Sequence, residues 1–285
     1  MKQNLSPWKW VPTLYFAEGL PYVAVMVLSL VMYKRMGISN TEVALYTSWL
    51  NLPWVIKPLW SPFVDLLKTK RWWIVSMQLL IGAGLAGVAF TIPAPHFFQT
   101  TLALFWLTAF GSATHDIAAD GFYMLALTSH QQALYVGIRS TCYRIATIAG
   151  QGLLIMLAGY LEKSFPGDYL CLEPDVLCTE RTFLLGPLGF YHVFCLPRPE
   201  QAVSAGQTSA SGLFQAFLNT FRSFFQKEQA GIALLFMLLY RLPEAQLAKM
   251  SIPFLIDTPE VGGLGMTTEQ LGFAHGNKSY HRHSL

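Results

Sequence analysis

Apolar residues along this chain come in long runs, each close to a bilayer thickness, and single ionisable residues interrupt them. Five runs reach the roughly 20 residues that a membrane-crossing helix needs: 11–33, 42–64, 72–92, 98–127 and 139–161. A sixth run, 229–256, follows after a gap. Glu18, Lys57, His115, Asp116 and Asp120 stand inside the early runs, and Arg241, Glu244 and Lys249 inside the last. A charge within a span is costly and is kept where it serves an ion or substrate path. The pattern predicts an all-α integral membrane protein with a polar interior.

Pro53, Pro58 and Pro62 punctuate the second run, and Gly19 and Pro21 the first. Such residues are tolerated in a membrane where neighbours re-satisfy the freed carbonyls. Gly82-Ala83-Gly84-Leu85-Ala86-Gly87 spells GxGxxG. A dinucleotide fingerprint needs a strand before it and a helix opening on it; this one sits mid-span and reads as close helix packing.

The regular pattern fails after residue 163. Residues 164–181 are charged and carry Pro166 and Pro174, and 182–196 is short for a span, with Pro187 and His192 inside. The chain therefore divides into five helices over 1–163, an irregular stretch with a remnant of a sixth over 164–196, a cytoplasmic linker over 197–228, a helix over 229–256 and a closing segment over 257–285. In the linker, Leu213, Phe214, Phe217, Leu218, Phe221, Phe224 and Phe225 recur at helical spacing, an amphipathic helix expected on the membrane surface.

An internal repeat is also legible. Gly265-Met266-Thr267-Thr268-Glu269-Gln270-Leu271 resembles Gly37-Ile38-Ser39-Asn40-Thr41-Glu42-Val43, each following an apolar run. Repeated halves are how one large class of transporters is organised. The second copy loses its apolar character after Phe273.

Composition agrees with a membrane protein: 53% of the residues are apolar and only 12% charged, against about 25% charged in soluble domains. The net charge of +3 is too small and scattered for a nucleic-acid partner. With the N-terminus inside, Lys2, Lys9, Lys68, Lys70, Arg71, Arg198, Arg222 and Lys227 fall on the cytoplasmic side, against Lys34, Arg35, Lys163 and Arg181 outside. Eight against four sets the N-terminus in the cytoplasm by the positive-inside rule. The four cysteines, Cys142, Cys171, Cys178 and Cys195, match no metal spacing; unpaired thiols and a Cys171–Cys178 disulfide both remain open. No metal or cofactor is called for.

In that orientation the buried charges share one layer. Glu18, Asp65, Asp116 and Asp120 face Lys57, Arg139 and Arg144, with His115 beside the surplus acid. An unmatched acid in a desolvated setting is a candidate proton site; ion pairs that hold helices together, or form a cytoplasmic gate, use the same residues. His115 and Asp120 also spell HxxxxD, a pattern of membrane acyltransferases. Five residues apart on a continuous helix they point about 140° away from each other, which weighs against that enzyme.

Three motifs carry a resemblance: Tyr15-Phe16-Ala17-Glu18-Gly19-Leu20-Pro21-Tyr22, then Lys57-Pro58-Leu59-Trp60-Ser61-Pro62-Phe63-Val64-Asp65, then Ala113-Thr114-His115-Asp116-Ile117-Ala118-Ala119-Asp120-Gly121. In this order they resemble the muropeptide permease (AmpG-like) branch of the major facilitator superfamily, to which acetyl-CoA transporters are related. The resemblance implies a twelve-helix transporter of the bacterial inner membrane that imports anhydro-muropeptides by proton symport. Here it covers one six-helix half, its sixth helix poorly formed, plus the first helix of the second. It implies that Asp65 locks the cytoplasmic side, with Leu66 where an Arg is usual. It matches Asp116 and Asp120, with His115 beside them, to the polar face of helix 4 in the branch; together with the charged layer this makes Glu18, His115, Asp116 and Asp120 the candidates for substrate or proton handling, and Lys57, Asp65, Arg139 and Arg144 those for gating. The departures at 164–181 and 275–285 read as changes of frame. The expected product is a truncated chain that needs a second half, or a second copy, to enclose a substrate path between halves.

Overall fold

The computed structural model describes residues 6–153, 155–156, 186–198 and 229–281, with scattered positions between 212 and 226. The expectations for 164–181, for Cys171 and Cys178, and for most of the amphipathic linker fall outside the described residues. Every regular element among the described residues is helical.

The first run forms one continuous rod: α1 (Val11–Val23) passes through a π-helical turn, Ala24–Leu28, into α2 (Ser29–Arg35). The second run does not form a rod. It divides into α3 (Asn40–Trp49), α4 (Leu52–Ile56), a 3-10 turn at Lys57–Leu59 and α5 (Ser61–Leu67). Pro53, Pro58 and Pro62 each sit in the first two positions of a new piece. There a proline costs nothing, whereas inside a helix it removes a hydrogen bond and clashes with the preceding turn.

The third and fourth runs form α6 (Lys70–Thr91) and α7 (Phe97–Ala126). The fifth helix, α8 (Ser129–Ile148), begins ten residues before its apolar run, and a π-helical turn at Ala149–Leu153 extends it. Its start is fixed by a capping box, in which the Thr128 hydroxyl accepts from Gln131 N and the Gln131 side chain accepts from Thr128 N. A short helix, α9, occupies 186–195. Then come α10 (Ala230–Ile256) and α11 (Thr268–His281). Helix α11 runs on through the polar residues beyond Phe273, where the sequence predicts an apolar helix breaking off.

By length and apolarity alone, two helices among the described residues can cross a bilayer, Pro7–Arg35 and Lys70–Thr91. The second run fails on its breaks.

Glycines set two close crossings. A Cβ on Gly19 would lie 2.9 Å from both Ala146 Cβ and Tyr143 O, which brings α1 against α8. A Cβ on Gly84 would meet Thr108 Oγ1 at 2.6 Å, and one on Gly87 would press on Leu104, so α6 lies tightly on α7. The GxGxxG glycines Gly84 and Gly87 thus serve helix contact.

The repeat is visible at atomic detail. Gly37 (φ +80°) and Gly265 (φ +64°) turn the chain in the left-handed region. Two residues later Ser39 and Thr267 accept from the backbone N–H of Glu42 and Gln270. Both connectors open a new helix with the same device.

Candidate functional site

The charged layer is built from α1, the turn after α4, α7 and α8. Along α7, Asp116 and Asp120 lie one turn apart, so both face the same side. Asp116 is buried, and its Oδ2 lies 3.8 Å from Lys57 Nζ on the 3-10 turn. Lys57 opens the 3-10 turn between α4 and α5, where the second run breaks.

Asp120 forms a second pair. Arg139 Nη1 lies 3.2 Å from Asp120 Oδ1. Tyr15 completes a triangle: its hydroxyl donates to Asp120 Oδ1 at 3.1 Å and accepts from Arg139 Nη1 at 3.0 Å. The guanidinium also rests on two rings, 4.8 Å from the centroid of Tyr15 and 5.0 Å from that of Tyr123. Such cation–π contacts fix an arginine's position beyond its ion pair.

Glu18 lies one turn beyond Tyr15 on α1, and its enclosed Oε2 takes no hydrogen bond. Of the seven charged residues expected in this layer, the structure brings together Glu18, Lys57, Asp116, Asp120 and Arg139. Asp65 is on α5, but its side chain lies outside those described. Arg144 is exposed on α8 and joins no ion pair among the described residues. Five residues after Arg139, it points about 140° away, which takes it off the face that meets α1.

His115 belongs to a different assembly. Asp116 is the next residue on the helix, so the two side chains diverge by about 100°. The His115 Nε2 lies 3.0 Å from the Gln78 amide on α6, which also lies 3.0 Å from His192 Nδ1 on α9. His192 Nε2 in turn lies 3.1 Å from Thr13 Oγ1 on α1. Four helices meet in this buried polar chain. Helix α7 runs unbroken from His115 to Asp120, and the two side chains keep separate partners. The acyltransferase geometry is therefore missing. Gln78, Tyr15, Tyr123, Thr13 and His192 escaped a search limited to charges. A lone amide in the apolar run of α6 is the same signal in neutral form.

A second polar assembly lies at the opposite end. Lys34 pairs with Asp257 at the end of α10, and Asn40 Nδ2 donates to Asp257 Oδ2 at 2.7 Å. Arg35 donates to Met266 O at 3.2 Å, and Lys249 Nζ to Thr47 O at 3.1 Å. Thr47 is in the last turn of α3, where carbonyls lack helical partners. Among the described residues no group of three or more His, Cys, Asp or Glu is placed to hold a metal ion.

Comparison with known proteins reads the same segment. The BT1 family model matches residues 16–170, more than half of the chain. The chain belongs to the BT1 family. The matched span includes Glu18, Lys57, Asp116, Asp120 and Arg139. Outside the family model, the chain is 26% identical over 289 residues to the anhydromuropeptide permease of Escherichia coli K12, covering 95% of this chain and 54% of that protein. A putative transporter AmpG 4 of Rickettsia felis is 26% identical over 84% of this chain and 57% of its own length. An uncharacterized Haemophilus influenzae protein is 27% identical over 72% of this chain and 47% of its own length. The BT1-family chain thus spans about half the length of the curated relatives it matches.

Proposed function

We infer that this chain is part of a multi-pass inner-membrane transporter that imports cell-wall muropeptides by proton symport. The relatives named as a permease and a putative transporter support transport over enzymatic chemistry. The observation that carries the reading is the polar layer. The ion pairs Lys57–Asp116 and Arg139–Asp120, and a Glu18 whose enclosed Oε2 takes no hydrogen bond, lie together between α1, the turn after α4, α7 and α8. Such groups are retained on ion and solute paths.

Each group has a role. Glu18 exchanges the coupling proton, and Asp116 with Asp120 share its field. Lys57 and Arg139 hold the two aspartates and gate the cytoplasmic side as the pairs break and reform. His115 acts through Gln78, keeping α7 in register with α6 and α9.

Vesicle uptake of a labelled anhydro-muropeptide tests this, with and without a proton gradient. The chain is measured beside a form extended to the relatives' length. Gradient-driven accumulation by the extended form is expected, and accumulation of an unrelated solute in its place would overturn the substrate. Glu18→Gln should abolish gradient-driven accumulation while solute exchange across the membrane persists. Loss of exchange as well would make Glu18 structural.

A further inference from the structure

We propose that Arg139, held between Tyr15 and Tyr123, is the subsite for a carboxylate of the transported solute, and that Asp120 occupies it when the solute is absent. This rests on the transport reading above and names the chemistry recognised at its site.

Accessibility is the first argument. The side chains of Arg139 and Asp120 are 31% and 40% exposed. Asp120 lies six residues, about 9 Å, from the end of α7, and Arg139 ten residues, about 15 Å, from the start of α8. Asp120 at that depth is costly against hydrocarbon, and Arg139 opens the apolar run 139–161 at its polar edge, so the pair borders water that a solute can enter. The Asp116 side chain of the other pair is only 13% exposed.

Geometry is the second. Arginine binds a carboxylate best through two parallel N–H bonds. Arg139 reaches Asp120 through Nη1 alone, and shares that atom with the Tyr15 hydroxyl. No other hydrogen bond of its guanidinium involves a described residue. The fork is therefore incompletely used and open to a second carboxylate.

Positioning is the third. When an arginine loses its only anchor, it moves with the departing partner. Arg139 keeps both ring faces and the Tyr15 oxygen if Asp120 leaves. The Tyr15 hydroxyl, freed from Asp120, has a proton to donate to the arriving carboxylate. The site is preorganised: exchange keeps Arg139 paired throughout, and the released Asp120, whose side chain is 40% exposed, is left to water and not to a dry interior.

The test is equilibrium binding to the full chain in nanodiscs. The probes are a labelled anhydro-muropeptide with free carboxylates, its amidated counterpart and a sugar phosphate. The free acid is expected to bind about 10–100-fold more tightly than the amide, the range for a charged hydrogen-bonded contact. Arg139→Gln should erase that ratio, and Arg139→Lys should keep part of it. Asp120→Asn, which removes the competitor, should tighten binding of the free acid; a merely structural pair would weaken it. Equal binding of acid and amide, or an unchanged ratio in Arg139→Gln, overturns the subsite and leaves the muropeptide reading standing. Preference for the sugar phosphate, lost in Arg139→Gln, overturns both the carboxylate and the muropeptide. Binding of no probe overturns both for this chain. Thermal unfolding of each variant identifies any that fails to fold, and the Asp120→Asn result decides in that case.

Discussion

A side chain at Gly19 would have to displace the backbone of α8. The modest Gly19→Ala already places its Cβ 2.9 Å from Tyr143 O. Forcing an extra methyl into a packed contact typically costs about 1–3 kcal/mol, so the detergent unfolding midpoint should fall, while Gly82→Ala, with open space around it, should not. Gln78 offers a second residue-scale test. Gln78→Leu removes the bridge between two buried imidazoles, and each unsatisfied group costs about 1–3 kcal/mol. Denaturation should show that loss, against a Leu79→Ala control on the exposed face of α6. The charged residues were legible in the sequence because each is an anomaly inside an apolar run. Their directions were not. His115 reads as a neighbour of Asp116 until helix geometry sends it toward α6, and Arg144 reads as a partner of the acids until α8 turns it away.

Helices differ in how plainly they announce themselves. The rods α6, α7 and α10 were legible from apolar length alone, within a few residues. The second run was not, because three prolines are compatible with either a kinked rod or separate pieces, and packing against α7 decides. The start of α8 was hidden by a polar first half, Ser129 to Gly137, whose helix depends on the Thr128–Gln131 capping box. Connector chemistry sets the contact between repeats. Lys34 first, then Asn40, hold the Asp257 carboxyl below the usual carboxylate range. A depressed folded value stabilises at pH above the unfolded one, about 3.9, and the contribution disappears as pH falls through the folded value. Spin labels at Thr41 on the first connector and at Val261 just before the second should therefore report a fixed separation at neutral pH, and one that broadens only as pH falls from about 3.9 through the lower folded value. In Asp257→Asn the broadening should already be present at neutral pH.

At the scale of the molecule, two polar assemblies sit at opposite ends of the helices. The charged layer lies toward the end that carries Lys68 and Lys70, and the Lys34–Asn40–Asp257 contact lies at the end that carries both connectors. A solute path needs such a division, since one end must stay closed while the other exchanges its solute. The connectors Gly37–Glu42 and Gly265–Gln270 are folded alike, and a hydrogen bond from Arg35 to Met266 O joins them at the second end. Charge gives the expectation to test: the basic residues Lys68, Lys70 and Arg71 gather at the start of α6, and by the positive-inside rule the connectors are expected outside. Thr41→Cys and Lys68→Cys, each in a chain whose four native cysteines are serine, test that assignment. An impermeant thiol reagent added to intact cells should label position 41, and position 68 only after permeabilisation. The opposite pattern would place the charged layer on the outer side, making Arg139 and Asp120 an entrance for solute instead of its exit.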